Sequence, residues 1–490
     1  MSELILTNSL GRTGNCMVCI MNAIKFSIDN HISKVSFNAM NWMGPRLLPN
    51  KNDSSSPIFT SYEINIDYLK DAPNDDYQKI KSYKNPLIKS LKVNFINSVD
   101  PLIKFLRKNE KYLICESYLG KKDEIKLNLS LGLFPYSIVP EIYTNTTPNK
   151  EIRNKLLISL NKKNNFENFL EFIIPKMIPC SYIENFKKFQ NIASNISWPK
   201  KPKVIFTSHF LGTKTVSAFY TANKKEEGTK LIQGQHGGSY GISLFNSTQD
   251  FEFDISDLFL TWGWTILGNN KSFAMGILKP IQKLSLLNNY KDKKKLLFVI
   301  RPKERYFSSI FDSKTRGPQL LNYHNECIEA ANSLREDIKK ELFIRLHPKK
   351  YGWCEKERWK DKIQNVRIDE GYGPIDKAVK FSKLIVYTYN STGCLEFMSA
   401  NIPVVLFWNS KENLLTDEAN IYFEKLKKVK IFHDSVESLA SHINDNWNNI
   451  NEWWSSEEVQ NIRKEFCNKY CKINNNKVKD IKKIVKQISN

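Results

Sequence analysis

The sequence predicts an α/β protein with two Rossmann-like, doubly wound domains. Three observations lead to this prediction. From Lys295 onward, apolar strands alternate regularly with helical stretches. A strand–helix–strand unit runs from Val204 to Gly241, and a strand, a glycine-bearing turn and a helix follow one another between Glu3 and Ile28. Such alternation is typical of parallel sheets whose two faces are covered by helices.

Length and composition favour a globular protein of two or three domains with an anionic partner. The chain has 490 residues, of which 41% are hydrophobic and 12% aromatic, and its formal net charge is +22. This charge suits nucleotides, an anionic membrane surface or nucleic acid. An AT-rich genome, which enriches lysine, is the alternative explanation. The excess is spread along the chain rather than gathered in one arm, which disfavours nucleic acid.

Cysteines and apolar runs bear on location and on metal binding. Cys16 and Cys19 form a C-x-x-C, but no second pair with metal spacing follows among the nine cysteines. Reduced thiols in a cytosolic protein are therefore expected. The N-terminus has no basic region ahead of its apolar residues, and no apolar run reaches the roughly 20 residues of a spanning helix. We expect a protein that is soluble or peripheral to a membrane.

The first half contains strands, helices and one glycine-bearing turn. Strands are predicted at Glu3–Ser9, Lys34–Asn38 and Tyr112–Ser117, with a mixed helical and turn region at Tyr62–Lys111. The turn contains Gly11, Arg12, Gly14 and Asn15. It lacks the third glycine of a dinucleotide fingerprint, so NAD is not predicted, although the N-terminus of the following helix, Met17–Ile28, could hold an anion. Further helices are predicted at Glu151–Asn161, Phe166–Ile174 and Ser181–Ile192.

The stretch from Leu231 to Gly241, LIQGQHGGSYG, is the strongest candidate for chemistry in the first half. A short strand ends in Gln235, His236, Gly237 and Gly238. Adjacent glycines allow a close backbone approach to a ligand, and a histidine beside them can exchange a proton near neutral pH. The alternative is a tight turn in which His236 merely satisfies the backbone. A polar loop and the strand segment LTWGW, ending at Trp264, follow.

The second half carries polar residues at the carboxyl ends of its predicted strands. Arg301, Arg345 and the pair His347-Pro348 each follow a strand, and such ends bind ligands in open α/β sheets. Ser391, Thr392 and Gly393 begin a helix, and Glu396 lies one turn further on. Arginines and a helix N-terminus suit phosphate, and Glu396 could accept hydrogen bonds from a ribose. The alternatives are a helix cap at Ser391 or Thr392, a carboxylate partner for Arg345 and a surface position for Glu396.

These motifs resemble those of known transferases. The second half resembles the donor domain of glycosyltransferases of the B fold, in which two Rossmann-like domains face each other across a cleft. The HP pair (His347) and the ST pair (Ser391) resemble motifs that hold the cytidine nucleotide in bacterial sialyltransferases, Kdo-type capsule transferases and CDP-glycerol glycerophosphotransferases. The QHGG-x-YG, LTWGW, RLHP and STGCLE segments together resemble a family of bacterial transferases from surface-polysaccharide clusters, over about Pro175 to Trp447.

A second similarity is shorter, and one acidic motif stands in a different place from that in related enzymes. The turn Gly11–Asn15 is similar to the GxxGN opening of fucosyltransferase-like N-terminal regions, but no His-x-Arg-x-Gly-Asp segment accompanies it. Asp369-Glu370-Gly371 follows the HP pair, whereas the acidic motif of polysialyltransferase-like enzymes precedes it. We therefore assign no general-base role to Asp369 or Glu370.

The resemblance implies a glycosyltransferase that builds a surface polysaccharide. No Asp-x-Asp stands at a predicted strand end, where a metal–diphosphate complex would need one, so we expect the enzyme to be metal-independent. Residues 1–280, with a helical insertion at about 60–200, would form the acceptor domain, residues 290–450 the nucleotide-sugar donor domain, and residues 451–490 C-terminal helices. His236 would deprotonate the acceptor hydroxyl or assist the leaving phosphate. No cofactor is expected, and the donor, preferably a cytidine nucleotide sugar, is a substrate. A lipid-linked acceptor would place the protein in the cytoplasm, at the inner face of the membrane.

Two other functions remain open at this point. A sugar-nucleotide-modifying enzyme of the B fold, such as an epimerase, would form product from the donor alone. An RNA-binding protein is suggested by the net charge, but the chain has no RNP, KH or zinc-finger signature. Salt-dependent RNA binding without nucleotide binding would favour it.

Overall fold

The fold is described from a computed structural model, within which two compact units are distinguished. The described residues are 3–7, 34–38, 61–65, 101–135, 146–155, 174–176, 178–211, 214–285, 287, 293–303, 317–411 and 413–489. The turn predicted at Gly11–Asn15 and the helix predicted at Met17–Ile28 lie outside them. The first unit comprises Met1–Lys108, Glu141–Trp198 and Ser308–Phe311, and the second comprises Asn109–Pro140, Pro199–Phe307 and Asp312–Asn490. The domain boundaries given above remain a prediction.

The first unit contains a three-stranded sheet, here called the N-terminal sheet. Its strands are β1 (Glu3–Thr7), β2 (Lys34–Asn38) and β3 (Ser61–Asn65). β1 and β2 pair in parallel, whereas β3 runs antiparallel to β2. Strands β1 and β2 confirm the prediction. β3 occupies the start of a region predicted as helix and turn, because SYEIN alternates polar and apolar residues over too few positions to be distinctive.

Helices of the first unit are fixed by a buried ion pair. Its helices include Lys150–Asn154 and Phe186–Asn195, with a 3₁₀ turn at Cys180–Tyr182. The guanidinium of Arg153 donates to both carboxylate oxygens of Glu184, at 2.7 and 2.8 Å, and both side chains are buried. The hydrogen bonds from Arg153 lower the pKa of Glu184 to about 2. The helix predicted at Ser181–Ile192 begins later in the structure, at Phe186.

The second unit begins with a five-stranded parallel sheet, here called the central sheet. Its order follows the sequence: β4 (Tyr112–Ile114), β5 (Val204–Thr207), β6 (Lys230–Gly234), β7 (Leu258–Thr261) and β8 (Ser272–Ala274). All four residues of β5 are buried, as expected for an apolar strand covered on both faces. The helices are Lys121–Ser130, Thr215–Glu226, Ser247–Ile255 and Gln282–Ser285.

One helix of this sheet corrects the sequence analysis. The stretch after the Gly237-Gly238 turn was expected to be a polar loop, but Ser247–Ile255 is an α-helix. Its N-cap is Asn246, whose side-chain oxygen accepts a hydrogen bond from the backbone N–H of Gln249 at 3.1 Å. An Asn followed three residues later by Gln is a helix-start pattern, and this pattern was the available signal.

The second unit continues with a six-stranded parallel sheet, here called the C-terminal sheet. Its strands are β9 (Lys295–Val299), β10 (Leu342–Arg345), β11 (Arg367–Asp369), β12 (Ser382–Tyr387), β13 (Val404–Phe407) and β14 (Phe432–His433). Their spatial order is β11-β10-β9-β12-β13-β14. The chain moves outward from β9 to β11 and returns to the other side of β9. This reversal is a topological switch point, where doubly wound sheets bind ligands.

Helices connect the strands of the C-terminal sheet and follow its last strand. They are Gly317–Asn332, Glu336–Lys339, Glu355–Lys362, Ile375–Val379, Thr392–Ser399, Asp417–Lys428 and Val436–Asn446. With two parallel sheets and their helices in place, the predicted α/β fold with Rossmann-like sheets is confirmed. Among the described helices of the chain, none has the length and apolar character needed to cross a bilayer.

The last residues, Glu457–Ile488, form a C-terminal segment that packs on both sheets of the second unit. Helix Glu457–Tyr470 packs against the helices of the C-terminal sheet. The chain then crosses to the central sheet, where the N–H of Lys472 donates to the carbonyl of Trp262 at 2.8 Å. Helix Lys477–Ile488 covers β5 and the helix Lys121–Ser130. The chain therefore connects the two sheets twice, once between β8 and β9 and again through this C-terminal segment.

Candidate functional site

The central and C-terminal sheets meet at the carboxyl ends of their strands. The N–H of Gly238, just after β6, donates to the hydroxyl oxygen of Thr392, which begins the helix after β12, at 3.1 Å. Nearby, Ser243 and Leu415 form an isolated antiparallel bridge. The structure thus brings together the two motifs that the sequence analysis singled out, QHGG and STG. Ligands bind at such strand ends in open α/β sheets.

The close contact at Gly238 requires a glycine. A Cβ atom there would lie 2.4 Å from the carbonyl carbon and oxygen of Ser391 and 2.5 Å from the backbone nitrogen of Thr392. Those neighbours are backbone atoms, which cannot rotate away. A Cβ at Gly237 would lie 2.8 Å from the ring of Tyr240. The two glycines therefore allow the loop to lie against the helix N-terminus and against its own tyrosine.

His236 belongs to a hydrogen-bonded cluster with Tyr240 and Glu252. The Nε2 atom of His236 lies 2.9 Å from Oε1 of Glu252 and 2.9 Å from the hydroxyl of Tyr240. The Tyr240 hydroxyl donates to Oε2 of Glu252 at 2.9 Å. Glu252 is 3% exposed. Burial and the Glu252 carboxylate raise the pKa of Tyr240 far above its usual value, so the phenol keeps its proton and acts as the donor.

Two further aromatic groups stand next to the His236 ring. The ring of His209, which follows β5, is nearly perpendicular to it with centroids 4.8 Å apart. Burial, and then the neighbouring His236, lower the pKa of His209. The ring of Tyr118, after β4, is 6.4 Å away. Side chains from the ends of three central-sheet strands, β4, β5 and β6, therefore converge around His236.

Gln235 braces the loop from inside. Its side-chain oxygen accepts from the backbone N–H of Trp262 at 2.8 Å and from the indole N–H of Trp264 at 2.9 Å. Its side-chain nitrogen donates to the carbonyl of Gly237 at 2.8 Å. The side chain is fully buried. These bonds connect the QHGG and LTWGW segments, so the two motifs form one structural element.

The start of helix Thr392–Ser399 is surrounded by groups from both sheets. The Ser391 hydroxyl donates to the Tyr387 hydroxyl at 3.1 Å, and a Cβ at Gly393 would lie 2.3 Å from that same oxygen. Glu396 is buried and its Oε1 lies 2.6 Å from Nζ of Lys279, which follows β8 of the central sheet. Burial lowers the pKa of Lys279, but Glu396 outweighs it and the net pKa is raised.

The remaining predicted donor residues lie at the ends of β9 and β10. Arg301 is buried beside the switch point, and its backbone N–H donates to the Tyr323 hydroxyl at 2.7 Å. Arg345 pairs with Asp369, which is the carboxylate alternative considered above. His347 is exposed, and its Nδ1 accepts from the N–H of Lys349 at 3.1 Å.

The loop after the HP pair is held by ion pairs and close packing. Glu370 pairs with Lys356, so both acidic residues of the Asp369-Glu370-Gly371 sequence have basic partners. A Cβ at Gly371 would lie 3.0 Å from Cδ of Pro348, and Gly371 has a φ of 78°. The position of Pro348 is therefore set by a glycine turn beneath it. Neither acid is placed against His236.

Sequence reasoning missed Tyr118, Lys279 and Glu252, and it named Tyr240 only as part of a motif. Each comes from a different element, and their proximity depends on strand order rather than on spacing along the chain. Gly11, Arg12, Gly14 and Asn15 lie outside the described residues. Within the described ranges, no three His, Cys, Asp or Glu side chains cluster as metal ligands would. Metal independence remains a prediction.

Most of the chain matches one family of proteins. Residues 56–485 match the model of a family of transferases. The chain belongs to this family, the LIC12162 family transferases. No curated protein matches the chain.

Solved structures with similar architecture include two epimerases and a protein of Acinetobacter baumannii. A protein of Listeria monocytogenes assigned as a UDP-N-acetylglucosamine 2-epimerase is 12% identical, with 77% of this chain and 96% of that chain covered and a TM-score of 0.44. The UDP-GlcNAc 2-epimerase of Neisseria meningitidis, solved with UDP-GlcNAc bound, is 13% identical over 77% and 99%, with a TM-score of 0.41. MurG of Acinetobacter baumannii is 11% identical over 77% and 99%, with a TM-score of 0.38.

Proposed function

We propose that this transferase moves a sugar from a nucleotide-activated donor to a polysaccharide or lipid-linked acceptor. The observation that carries the proposal is the contact of Gly238 with Thr392. Gly238 lies two positions after His236, which has the buried Glu252 carboxylate as its partner. The contact therefore brings His236 close to the N-terminus of helix Thr392–Ser399, where the two parallel sheets meet at their carboxyl ends. A helix N-terminus suits a leaving phosphate, and a histidine suits removal of the acceptor proton.

Each group has a role in this proposal. His236 accepts the proton of the attacking hydroxyl. Backbone N–H groups at Ser391–Gly393 and the hydroxyl of Thr392 stabilise the charge that develops on the phosphate. Lys279, whose pKa is raised by Glu396, holds its protonated amine next to the same helix as the partner of that carboxylate. Arg301 and His347 bind the nucleotide from the ends of β9 and β10. No metal is required for this arrangement of charges.

Nucleotide binding is the first test. CMP, CDP, UDP, GDP and TDP are added to the protein and the melting temperature is measured. The best of them, expected to be a cytidine nucleotide, should stabilise by about 2.7 kcal/mol at 100 times its Kd. His347→Ala should remove that shift and leave the melting temperature without nucleotide unchanged, because the side chain is exposed. Unchanged nucleotide binding by the folded variant would contradict the assignment of His347. Product formed from donor alone would favour an epimerase.

Membrane association is expected to be electrostatic and reversible. The formal charge is +22, and basic residues near an anionic leaflet contribute about 1 kcal/mol each, an attraction that salt screens. Washing membranes with 1 M salt, at about a 3 Å Debye length, should release the protein from the pellet to the supernatant. Fractionation followed by immunoblotting measures this release. Retention after the wash would instead indicate attachment through apolar side chains.

A further inference from the structure

The two ring nitrogens of His236 have different surroundings. Nε2 lies 2.9 Å from both Glu252 and Tyr240. Nδ1 has no hydrogen-bond partner among the residues that the structure describes, and the side chain is 17% exposed. One nitrogen is therefore held inside the protein and the other is left for a ligand. This asymmetry is what an orienting carboxylate produces in a histidine-based active site.

The hydrogen bonds of the cluster determine which nitrogen carries the proton. A carboxylate can only accept hydrogen bonds. The single hydroxyl proton of Tyr240 goes to Oε2 of Glu252. The remaining oxygen, Oε1, must then receive its hydrogen from Nε2 of His236. The neutral ring is thus the Nε2–H tautomer, whose Nδ1 has a lone pair.

We propose that Glu252 is a positioning residue that holds His236 as the Nε2–H tautomer, so that Nδ1 takes the proton of the acceptor hydroxyl. This inference rests on the function proposed above. Tyr240 completes the arrangement by occupying the second carboxylate oxygen. Because Glu252 is buried, its negative charge is poorly screened and acts strongly on a neighbouring positive ring.

The chemical step balances without any further reagent. The acceptor oxygen forms a bond to the anomeric carbon as its proton moves to Nδ1 of His236. The bond between the anomeric carbon and the phosphate oxygen breaks, and its electron pair leaves with the nucleotide. The imidazolium that results is stabilised by the Glu252 carboxylate until the proton passes to water. The products are the glycoside and the free nucleotide.

The titratable groups in contact with His236 come from the segments that follow three strands of the central sheet. Tyr118 follows β4, His209 follows β5, and Tyr240 and Glu252 follow β6. Burial raises the pKa of both tyrosines, which keeps their hydroxyls protonated, and lowers the pKa of His209, which favours its neutral ring. Glu252 is therefore the charged group in direct contact with His236. Two ion pairs act on these neighbours: Glu116 and Lys214, 3.3 Å apart, act on His209, and Lys279 and Glu396, 2.6 Å apart, act on Tyr118.

The test is a substitution that removes the charge and keeps the shape. Glu252→Gln should lower turnover about tenfold or more, but by no more than the ~10²–10⁴-fold that a general base contributes. The ascending limb of the pH–rate profile should move to lower pH, because loss of the carboxylate disfavours the protonated ring. Asp254→Asn removes an equal charge from the exposed side of the same helix and should keep both turnover and profile.

A double substitution distinguishes positioning from folding. If Glu252 acts through His236, Glu252→Gln should cost nothing further in a His236→Asn background. Tyr240→Phe, which keeps the ring beside Gly237, should give a smaller loss than Glu252→Gln and serves if that variant fails to fold. Equal losses in both backgrounds, or a pH profile unchanged by Glu252→Gln, would overturn the proposal.

A spectroscopic measurement needs no substrate. The chain has seven histidines, and ¹⁵N-histidine labelling with His236→Asn as reference identifies the resonances of His236. They should show the Nε2–H tautomer in the wild type and a shift towards the Nδ1–H tautomer in Glu252→Gln. An Nδ1–H tautomer in the wild type would overturn the proposal. If no nucleotide sugar is turned over but the Nε2–H tautomer is found, the proposed function fails and the positioning by Glu252 stands.

Discussion

His236→Ala is expected to lower turnover by ~10²–10⁴-fold while the affinity for nucleotide changes little. The base acts on the acceptor, and the nucleotide is expected at the C-terminal sheet. The substitution should therefore lower turnover without changing the affinity for nucleotide. Steady-state turnover and a nucleotide thermal shift, measured on the same preparation, check both parts. A parallel loss of nucleotide affinity would place His236 in the donor site instead.

His236→Asn is the matched variant for the same residue. Asparagine can still bond to Glu252 and Tyr240, but it cannot accept a proton near neutral pH. Its turnover should therefore be nearly as low as that of His236→Ala, with a smaller drop in melting temperature. The turn-bracing alternative predicts the reverse, because asparagine would then restore most of the activity. A fast His236→Asn enzyme would leave QHGG as a structural or acceptor-binding loop.

Gly238→Ala is expected to disrupt the contact between the central and C-terminal sheets. The new methyl carbon would lie 2.4 to 2.5 Å from backbone atoms of Ser391 and Thr392. Inserting a methyl group into such a contact typically costs about 1–3 kcal/mol. Displacing a catalytic group by about 1 Å can cost 10²-fold in rate. Turnover should therefore fall by up to about that factor, with a lower melting temperature.

Gly373→Ala is the control for this effect. No atom lies within 4 Å of a Cβ built at Gly373, and its φ is outside the left-handed region. The same change of residue type should leave the melting temperature and the turnover close to those of the wild type. If Gly238→Ala behaved like Gly373→Ala in both measurements, the sheets would not meet at Gly238 during turnover.

The positions of most strands along the chain were predictable because each parallel strand is a short apolar run followed by polar residues. The strands predicted at Lys295–Ile300, Glu341–Leu346, Leu384–Tyr389 and Val404–Trp408 agree with β9, β10, β12 and β13 to within two residues at every end, and QHGG lies at the end of β6 as expected. These segments carry their own signal, since a buried parallel strand has few polar residues. β8, Ser272–Ala274, has three residues and only partial burial, so no such pattern marks it.

The partners of His236 were not predictable for a different reason. Glu252 lies 16 residues further along the chain, on a helix whose apolar and polar residues have no marked periodicity. Its approach to His236 depends on how that helix packs beside β6 and β7. In the same way, Lys279 and Glu396 are paired only because the two sheets meet. A contact that depends on tertiary packing leaves little trace in local sequence.

The C-terminal segment has a consequence for biosynthesis. Ile481, Ile484 and Val485 are buried against Ile114 and Phe206, and the hydroxyls of Tyr112 and Ser489 lie 3.3 Å apart although 377 residues separate them. The strands of the central sheet are translated before these residues, so the core of that sheet lacks these side chains until helix Lys477–Ile488 has been synthesised. Before that point the sheet exposes an apolar surface. Packing between segments that are far apart in the sequence is also slow to form. The nascent chain should therefore depend on chaperones until this helix has been synthesised, and release of a chain truncated before Lys477 should yield aggregates rather than a partly active enzyme.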